Sequence, residues 1–404
     1  MLKTLKTLKT PIMLAAVFSA SALFSGCTKK TDDQSGTAQV AAVKSEPSGA
    51  QASEIVIGEY GSFTGNEATF GQSTDKGLKM AIDETNKAGG IKGKQIKLIA
   101  LDDQGKAEEA AAVVTRLITQ NKVVALIGEV ASSRTLAAAP IAQEHKIPMI
   151  SPSSTNPKVT EIGDNIFRVC FIDPFQGTVM AKFAFEHLKV KKVAILRDVK
   201  SDYSVGLADY FIKKFKELGG EVVADESYQG GEMDFKPQLT KLKSKTPEAI
   251  FIPGYYTEVG LIARQARALN ISAPLLGGDG WDSSKLFEIG GKDINGSYFS
   301  NHFTTESTDP AVVDFLKRYK EKYNGETADG LAALGYDAGK ILIAAIERAG
   351  EAKPELIRAE IAKTKDFVGV TGKISIDSQR NATKPAMVVK VDGNVNRYVT
   401  TITP

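Results

Sequence analysis

The stretch Val123–Thr155 constrains the fold of this chain more than any other. Val123 to Ile127 is an unbroken apolar run that stops at Gly128 and passes through Ser132 and Ser133 into an alanine-rich helical segment. That is the pattern of a buried parallel strand feeding a helix. Ile147 to Ile150 repeats the event and ends in Ser151-Pro152-Ser153-Ser154-Thr155. Two successive strand ends thus bring hydroxyls and free backbone N–H groups to one edge of a sheet, where open α/β folds bind ligands. Ser132 falls near a helix N-terminus, whose unpaired donors and positive dipole end suit a small anion such as a carboxylate. One such cluster alone reads as capping and turn chemistry. Two at consecutive strand ends point to a site.

The rest of the chain keeps the alternation. Ile55–Gly58 reads as a strand, Glu59–Gly71 as a glycine-marked loop, Thr74–Ala88 as a helix, Ile96–Leu101 as a strand and Lys106–Asn121 as a helix. Beyond Thr155 come a strand at Ile166–Ile172 and a helix at Gln176–Leu188, then strand Val193–Leu196 and helix Ser204–Leu218. Strand Glu221–Ala224, helix Phe235–Lys245, strand Ala249–Ile252, helix Glu258–Leu269 and strand Pro274–Leu276 follow. The expected class is α/β with doubly wound parallel sheets. A helix-Gly-Gly-strand unit at Ala88–Leu101 recurs at Leu218–Ala224, so two similar lobes are expected. Asp309–Tyr323, Gly330–Ala349 and Pro354–Lys363 read as helices with no strands between them, so they must cover an existing sheet. Gly369–Asp377 and Ala386–Ile402 close the chain as β segments, with Asp392-Gly393-Asn394 as a hairpin turn.

Residues 1–26 have the order of a secretory signal: Lys3, Lys6 and Lys9, an apolar run of 13 residues from Ile12 to Phe24, then Ser25-Gly26. The run is too short for an ordinary membrane span. With Cys27 the segment resembles the lipobox of bacterial lipoproteins, which implies lipidation of Cys27 and attachment to a membrane through it. Residues 27–53 lack any apolar period and read as a flexible tether spanning about 25 to 30 Å. Removing the signal takes the formal charge from +3 to 0. A neutral chain gives no electrostatic case for nucleic acid. After Cys27 only Cys170 remains, so no intrachain disulfide is expected; Cys170 lies in an apolar run and reads as a small buried hydrophobe.

Several spaced motifs then carry a resemblance: A-G-G-I-K-G-K (88–94), L-D-D (101–103), I-G-E-V-A-S-S (127–133), I-P-M-I-S-P-S-S-T (147–155), P-G-Y-Y-T-E-V-G (253–260) and G-G-D-G (277–280). In this order they resemble the leucine/isoleucine/valine-binding proteins, type I periplasmic substrate-binding components of ABC importers. The resemblance runs from Ile55 to the C-terminus. It implies two lobes joined by three crossovers, one of 54–172 with 303–385 and the other of 173–302 with 386–404. It implies a monomer without cofactor or catalytic activity that traps a free amino acid, branched-chain or otherwise apolar, and hands it to permease subunits in the membrane. By the same resemblance Ser132, Ser153 and Thr155 hold the ligand carboxylate, Asp279 and the Ser153 carbonyl hold its ammonium, and Tyr203 and Tyr255 close over it. Phe70 and Trp281 are candidate walls for the side chain. The chain departs from the family in two places. Asp279 stands where branched-chain binders commonly have Glu, and the family's disulfide has no counterpart beside Gln104 and Ala131.

Other readings lack parts. The first glycines stand at 58, 61 and 65, which is not the G-x-G-x-x-G of a dinucleotide fold. No G-x-S-x-G elbow or Walker A spacing occurs, and His145, His187 and His302 read as isolated, so triad and metal chemistry are not indicated. The alternative on the same fold is an amide- or urea-binding protein or a ligand sensor, which would not need an acid for an ammonium group.

Overall fold

The structure is a computed structural model and describes residues 54–404; Cys27, the signal-like segment and the tether lie outside the described residues. The first part of the chain runs β1 (Ile55–Gly61), α1 (Ala68–Lys87), β2 (Ile96–Asp102), α2 (Ala107–Thr119), β3 (Ala125–Ile127), α3 (Ser132–Glu144), β4 (Met149–Ser151), α4 (Lys158–Glu161) and β5 (Ile166–Arg168). Its five strands form one sheet in the order β2-β1-β3-β4-β5, with every pairing parallel. The second part runs α5 (Asp173–Lys182), extended by a π-helical turn at Phe183–His187, then β6 (Lys192–Asp198), α6 (Asp202–Glu217), β7 (Glu221–Tyr228), α7 (Lys236–Ser244) and β8 (Ala249–Phe251). It continues with α8 (Tyr256–Ala268), β9 (Leu275–Gly277), α9 (Ser284–Gly290) and β10 (Tyr298–Asn301). After α10 (Pro310–Lys322), α11 (Gly330–Ala349) and α12 (Pro354–Ala362), a small antiparallel sheet of β11 (Phe367–Gly369), β12 (Gly372–Ile376) and β13 (Ala382–Thr383) precedes β14 (Ala386–Asp392) and β15 (Val395–Ile402). The second large sheet has the order β15-β14-β10-β9-β8-β6-β7 and is parallel except for β14 and β15.

Both large sheets reverse direction at their first strand: β2 lies on one side of β1 and β3 on the other, as β7 and β8 flank β6. Such switch points open crevices at the carboxyl ends of the strands. Strand β1 is buried on both faces, as its near-continuous apolar run requires. On one face of its sheet lie Val114 and Leu117 of α2 with Ala138 and Ala142 of α3. The other face carries Leu78 and Ala81 of α1 with Leu342 and Ile346 of α11. The late helices therefore return to the first sheet. Helices α1 and α11 touch backbone to backbone, since a Cβ on Gly77 would stand 1.9 Å from the Ala332 carbonyl oxygen.

Several expectations need correction, and strand β5 ends at Arg168, short of the expected Ile172. Helix α1 starts at Ala68, ahead of Thr74, and takes Gly71 into its first turns. That glycine marks a close approach rather than a loop: a Cβ there would fall 2.4 Å from the Ser62 carbonyl oxygen. Strand β7 runs on to Tyr228, its half-exposed alternation belonging to an edge strand. Strand β10 is too short and too polar at its end to read as a strand from sequence, yet it pairs with both β9 and β14. The hairpin turn stands where expected, with Asp392 opposite Val395 and Gly393 at φ 64°. Cys170 is a free, buried thiol that burial pushes up to about 12, as a small hydrophobe rather than a nucleophile. Among the described residues no helix is long and apolar enough to cross a membrane.

A candidate ligand site at the strand ends

The residues expected at the site follow the carboxyl ends of successive strands. Ser132 is the first residue of α3 after β3, Ser153 and Thr155 follow β4, Tyr203 follows β6, Tyr255 follows β8, and Asp279 follows β9 in a single 3₁₀ turn. Asp279 is the centre of the polar network and is 5 % exposed. Its Oδ1 accepts from Gln176 Nε2 at 2.7 Å and from the Tyr203 hydroxyl at 3.0 Å. Its Oδ2 accepts from Ser153 Oγ at 3.2 Å and bonds His302 Nε2 at 3.0 Å. Ser153 comes from the first sheet and the other three from the second, so this carboxylate ties the two halves together. Burial pushes Asp279 upward, but the hydrogen bonds from His302, Gln176 and Tyr203 hold its carboxyl below the usual range. It is a buried, ionised acid kept so by donors. Burial drops His302 to about 4 despite Asp279 beside it, so the imidazole is neutral at pH 7.

The opposite chemistry is assembled on the first sheet. Ser132 Oγ accepts the Asn156 N–H at 3.2 Å. Thr155 is fully buried, and its Oγ1 has no hydrogen-bond partner among the described residues. Such a group normally has one, so this hydroxyl is open to a further acceptor or donor. Helix α3 has Ala131 at its N-cap and no side-chain cap, which leaves its first-turn N–H groups without that partner. The buried Arg168 holds the Thr155 turn from behind, donating to the carbonyls of Ser154, Asn156 and Pro157. Arg134, nearest the α3 terminus, is taken by Glu129 at 3.1 Å and Glu67 at 3.2 Å. Asp173 donates its backbone N–H to the Thr155 carbonyl at 3.0 Å; burial pushes its carboxyl up to about 8, and the Asp279 charge adds to the rise. At pH 7 it adds little negative charge there.

Aromatic rings fill the space between. Tyr203 and Tyr255 stack with centroids 5.3 Å apart and planes 6° apart, and Phe70 meets Tyr255 edge-on at 5.4 Å. Val130, Ser153, Tyr203, Tyr255, Asp279 and Gly280 line a void of about 10 Å³, room for about one water molecule. Tyr255 also borders an outer groove of about 470 Å³ whose walls come from Glu67 and Ser133 on one side and Asp198 and Ser201 on the other. Phe70 and Trp281, expected as walls, border neither space. Trp281 is wholly buried, donates its indole N–H to the Ile252 carbonyl at 3.0 Å and leans on Phe299. It packs beneath the strand ends as core. The structure thus brings Ser153, Tyr203, Tyr255 and Asp279 around one void, places Ser132 and Thr155 on the adjoining first-sheet ends, and leaves Phe70 and Trp281 behind the rings and strands. Sequence reasoning missed Gln176, His302 and Arg168. His302 is not isolated, as expected from sequence, but faces Asp279 from the end of β10, a strand that the sequence hid.

Residues 54–396 match the profile of the family described as periplasmic binding protein. The chain belongs to that family. An amino acid binding protein of Pseudomonas aeruginosa is 34 % identical over 329 residues, 81 % of this chain and 87 % of the relative. The leucine-, isoleucine-, valine-, threonine- and alanine-binding protein of the same organism is 32 % identical, over 81 % of this chain and 87 % of the relative. Among solved structures, the leucine binding protein LivK of Thermotoga maritima superposes with a TM-score of 0.84 at 43 % identity, over 87 % of this chain and 99 % of that one. LivJ of Streptococcus pneumoniae, a branched-chain amino acid transporter substrate binding protein in complex with isoleucine, gives 0.83 at 38 % identity, over 87 % and 100 %. The two-sheet α/β architecture of this periplasmic binding protein is therefore that of LivK and LivJ, and the family is one of solute-binding proteins that work outside the cytoplasm.

Proposed function

We propose that this periplasmic binding protein captures an amino acid, branched-chain or otherwise apolar, at the strand ends and delivers it to the permease of an ABC importer. The observation that carries the reading is Asp279: an ionised carboxylate, buried and held by donors from both halves, beside a void walled by Val130 and two tyrosine rings. A desolvated ammonium group requires such a charge. The Thr155 hydroxyl and the uncapped start of α3 supply donors for the carboxylate, and no free arginine is needed there. The rings give the side chain an apolar enclosure. The relatives named as amino-acid binders and LivJ with its isoleucine support the same ligand class.

In this reading 54–172 with 303–385 and 173–302 with 386–404 are two lobes that swing about their crossovers. A void of one water cannot admit an amino acid, so entry requires the lobes to part. The protein acts as a monomer and is tethered through lipid on Cys27. A thermal-shift screen against the common amino acids, their amides and urea tests the function. A ligand at 100 times its dissociation constant adds about 2.7 kcal/mol to stability. Stabilisation by leucine, isoleucine or valine and not by their amides is expected; stabilisation by amides or urea alone would replace this reading with that of an amide binder. Intact mass of membrane-extracted protein tests the anchor, which a chain cleaved elsewhere and unmodified would contradict.

A further inference from the structure

His302 directly follows β10, and β10 runs parallel to β9 with Phe299 opposite Gly277, so its strand end lies alongside the turn that carries Asp279. The imidazole is 1 % exposed and lies flat on Phe171, centroids 3.6 Å apart and planes 22° apart. Its backbone N–H is tied to Asn301 Oδ1 at 2.7 Å. Ring plane and position are both fixed, and Nε2 is aimed at Asp279 Oδ2 at 3.0 Å. The other nitrogen, Nδ1, is buried with no partner among the described residues. This settles the tautomer on physical grounds. A ring carrying its single proton on Nε2 donates to the carboxylate and leaves a bare acceptor at Nδ1, whereas an imidazolium would bury an unpaired N–H donor.

We propose that His302 is a positioning residue for the ligand's ammonium group: a neutral imidazole that, with Gln176 and Tyr203, clamps the Asp279 carboxylate in one orientation without cancelling its charge. The inference rests on the reading of Asp279 as the ammonium's partner. A charged histidine at this place would neutralise Asp279 and compete with the ligand; a residue without a donor would leave Oδ2 to Ser153 alone. The groups that face the pair are consistent with a neutral ring. Lys384 from the third crossover opposes a proton on His302. Asp279 is the acid on its other side, and around that acid lie Asp173 and Gln176 of α5, Cys170, Tyr203 and Asp282.

The test is calorimetric titration of isoleucine, between pH 4 and pH 8, into the wild type, His302→Phe, His302→Gln and Asp279→Asn. Phe keeps a ring on Phe171 and removes the donor; Gln restores a donor. His302→Phe is expected to bind about tenfold more weakly at pH 7, with the acid-side loss of affinity moved up by about one pH unit because Asp279 loses a stabilising bond. His302→Gln is expected to recover most of the affinity. Phe binding within about twofold of the wild type, with the same acid limb, would overturn the proposal. If Phe does not fold, nitrogen-15 NMR of the wild-type imidazole decides: a neutral ring protonated at Nε2 from pH 5 to pH 8 supports it, and an imidazolium or the other tautomer overturns it. Asp279→Asn separates the two readings. If Asn binds as the wild type does, the ammonium site itself is wrong; if Asn fails while Phe binds normally, only the role of His302 is.

Discussion

In the proposed reading, Thr155 and Asp173 set the conditions under which a ligand carboxylate is held. The Thr155 hydroxyl is buried without a partner, and Asp173 beside it is raised to about 8 chiefly by burial. The sign follows directly: below that value Asp173 is neutral and tolerates an anion, and as pH rises through it the new charge repels one. Isoleucine affinity of the wild type should therefore fall between pH 7 and pH 9 relative to Asp173→Asn, whose curve lacks that titration; parallel curves by calorimetry would remove Asp173 from the account. Thr155→Ala should weaken binding by about 1 to 3 kcal/mol, the range for hydrogen bonds to a charged group and the penalty of an unpaired one. Unchanged affinity would place the carboxylate elsewhere. The strand-end residues were legible in the sequence because glycine, serine and tyrosine after apolar runs announce the carboxyl edge of a parallel sheet. The partners of Asp279 were not legible. Gln176 and His302 lie 103 and 23 residues away from it, on elements whose register no local pattern encodes. Trp281 adjoins the site in sequence but points into core, which adjacency alone does not distinguish.

At the scale of elements, the site depends on helices that hold the strand ends rigid. Helix α1 carries Phe70 toward Tyr255 and lies against α11 with no room for a side chain at Gly77. Gly77→Ala is expected to force the helices apart and cost about 1 to 3 kcal/mol, as overpacking does. Urea denaturation reads this as a lower midpoint at unchanged slope. An unaltered midpoint would mean that the helix pair yields without penalty. Alternating apolar segments and glycine-marked turns were enough to expect most of these helices and strands. What escaped were the elements built by tertiary contact: the start of α1, where Gly71 packs on Ser62, and β10, which is a strand because β9 and β14 pair with it.

Across the whole molecule, polar contacts besides Ser153 to Asp279 join the two halves, among them Thr257 Oγ1 to the Asn66 carbonyl, the Gly330 N–H to the Asp282 carboxylate and Arg397 to Glu306. Ser133 Oγ bonds the Asp202 carboxylate at 2.8 Å, Thr69 Oγ1 meets Ser283 Oγ at 2.9 Å, and Asn156 Nδ2 donates to the Asp202 carbonyl at 2.8 Å. In the proposed reading these bonds part when the lobes open to admit a ligand, since a void of one water cannot. The repeat of strand and helix announced two halves; the crossovers that return α10–α12 to the first sheet and β14–β15 to the second are visible only in three dimensions. The central claim is that closure is driven by an ammonium group meeting Asp279. Removing one partner of such a buried pair costs about 3 to 5 kcal/mol, a loss of affinity on the order of a hundredfold or more. The direct measurement is small-angle scattering of the wild type and Asp279→Asn across one isoleucine titration. The wild type should contract at low isoleucine, and the Asn variant should need on the order of a hundred times more to do so. Contraction of both at the same concentration would contradict that claim.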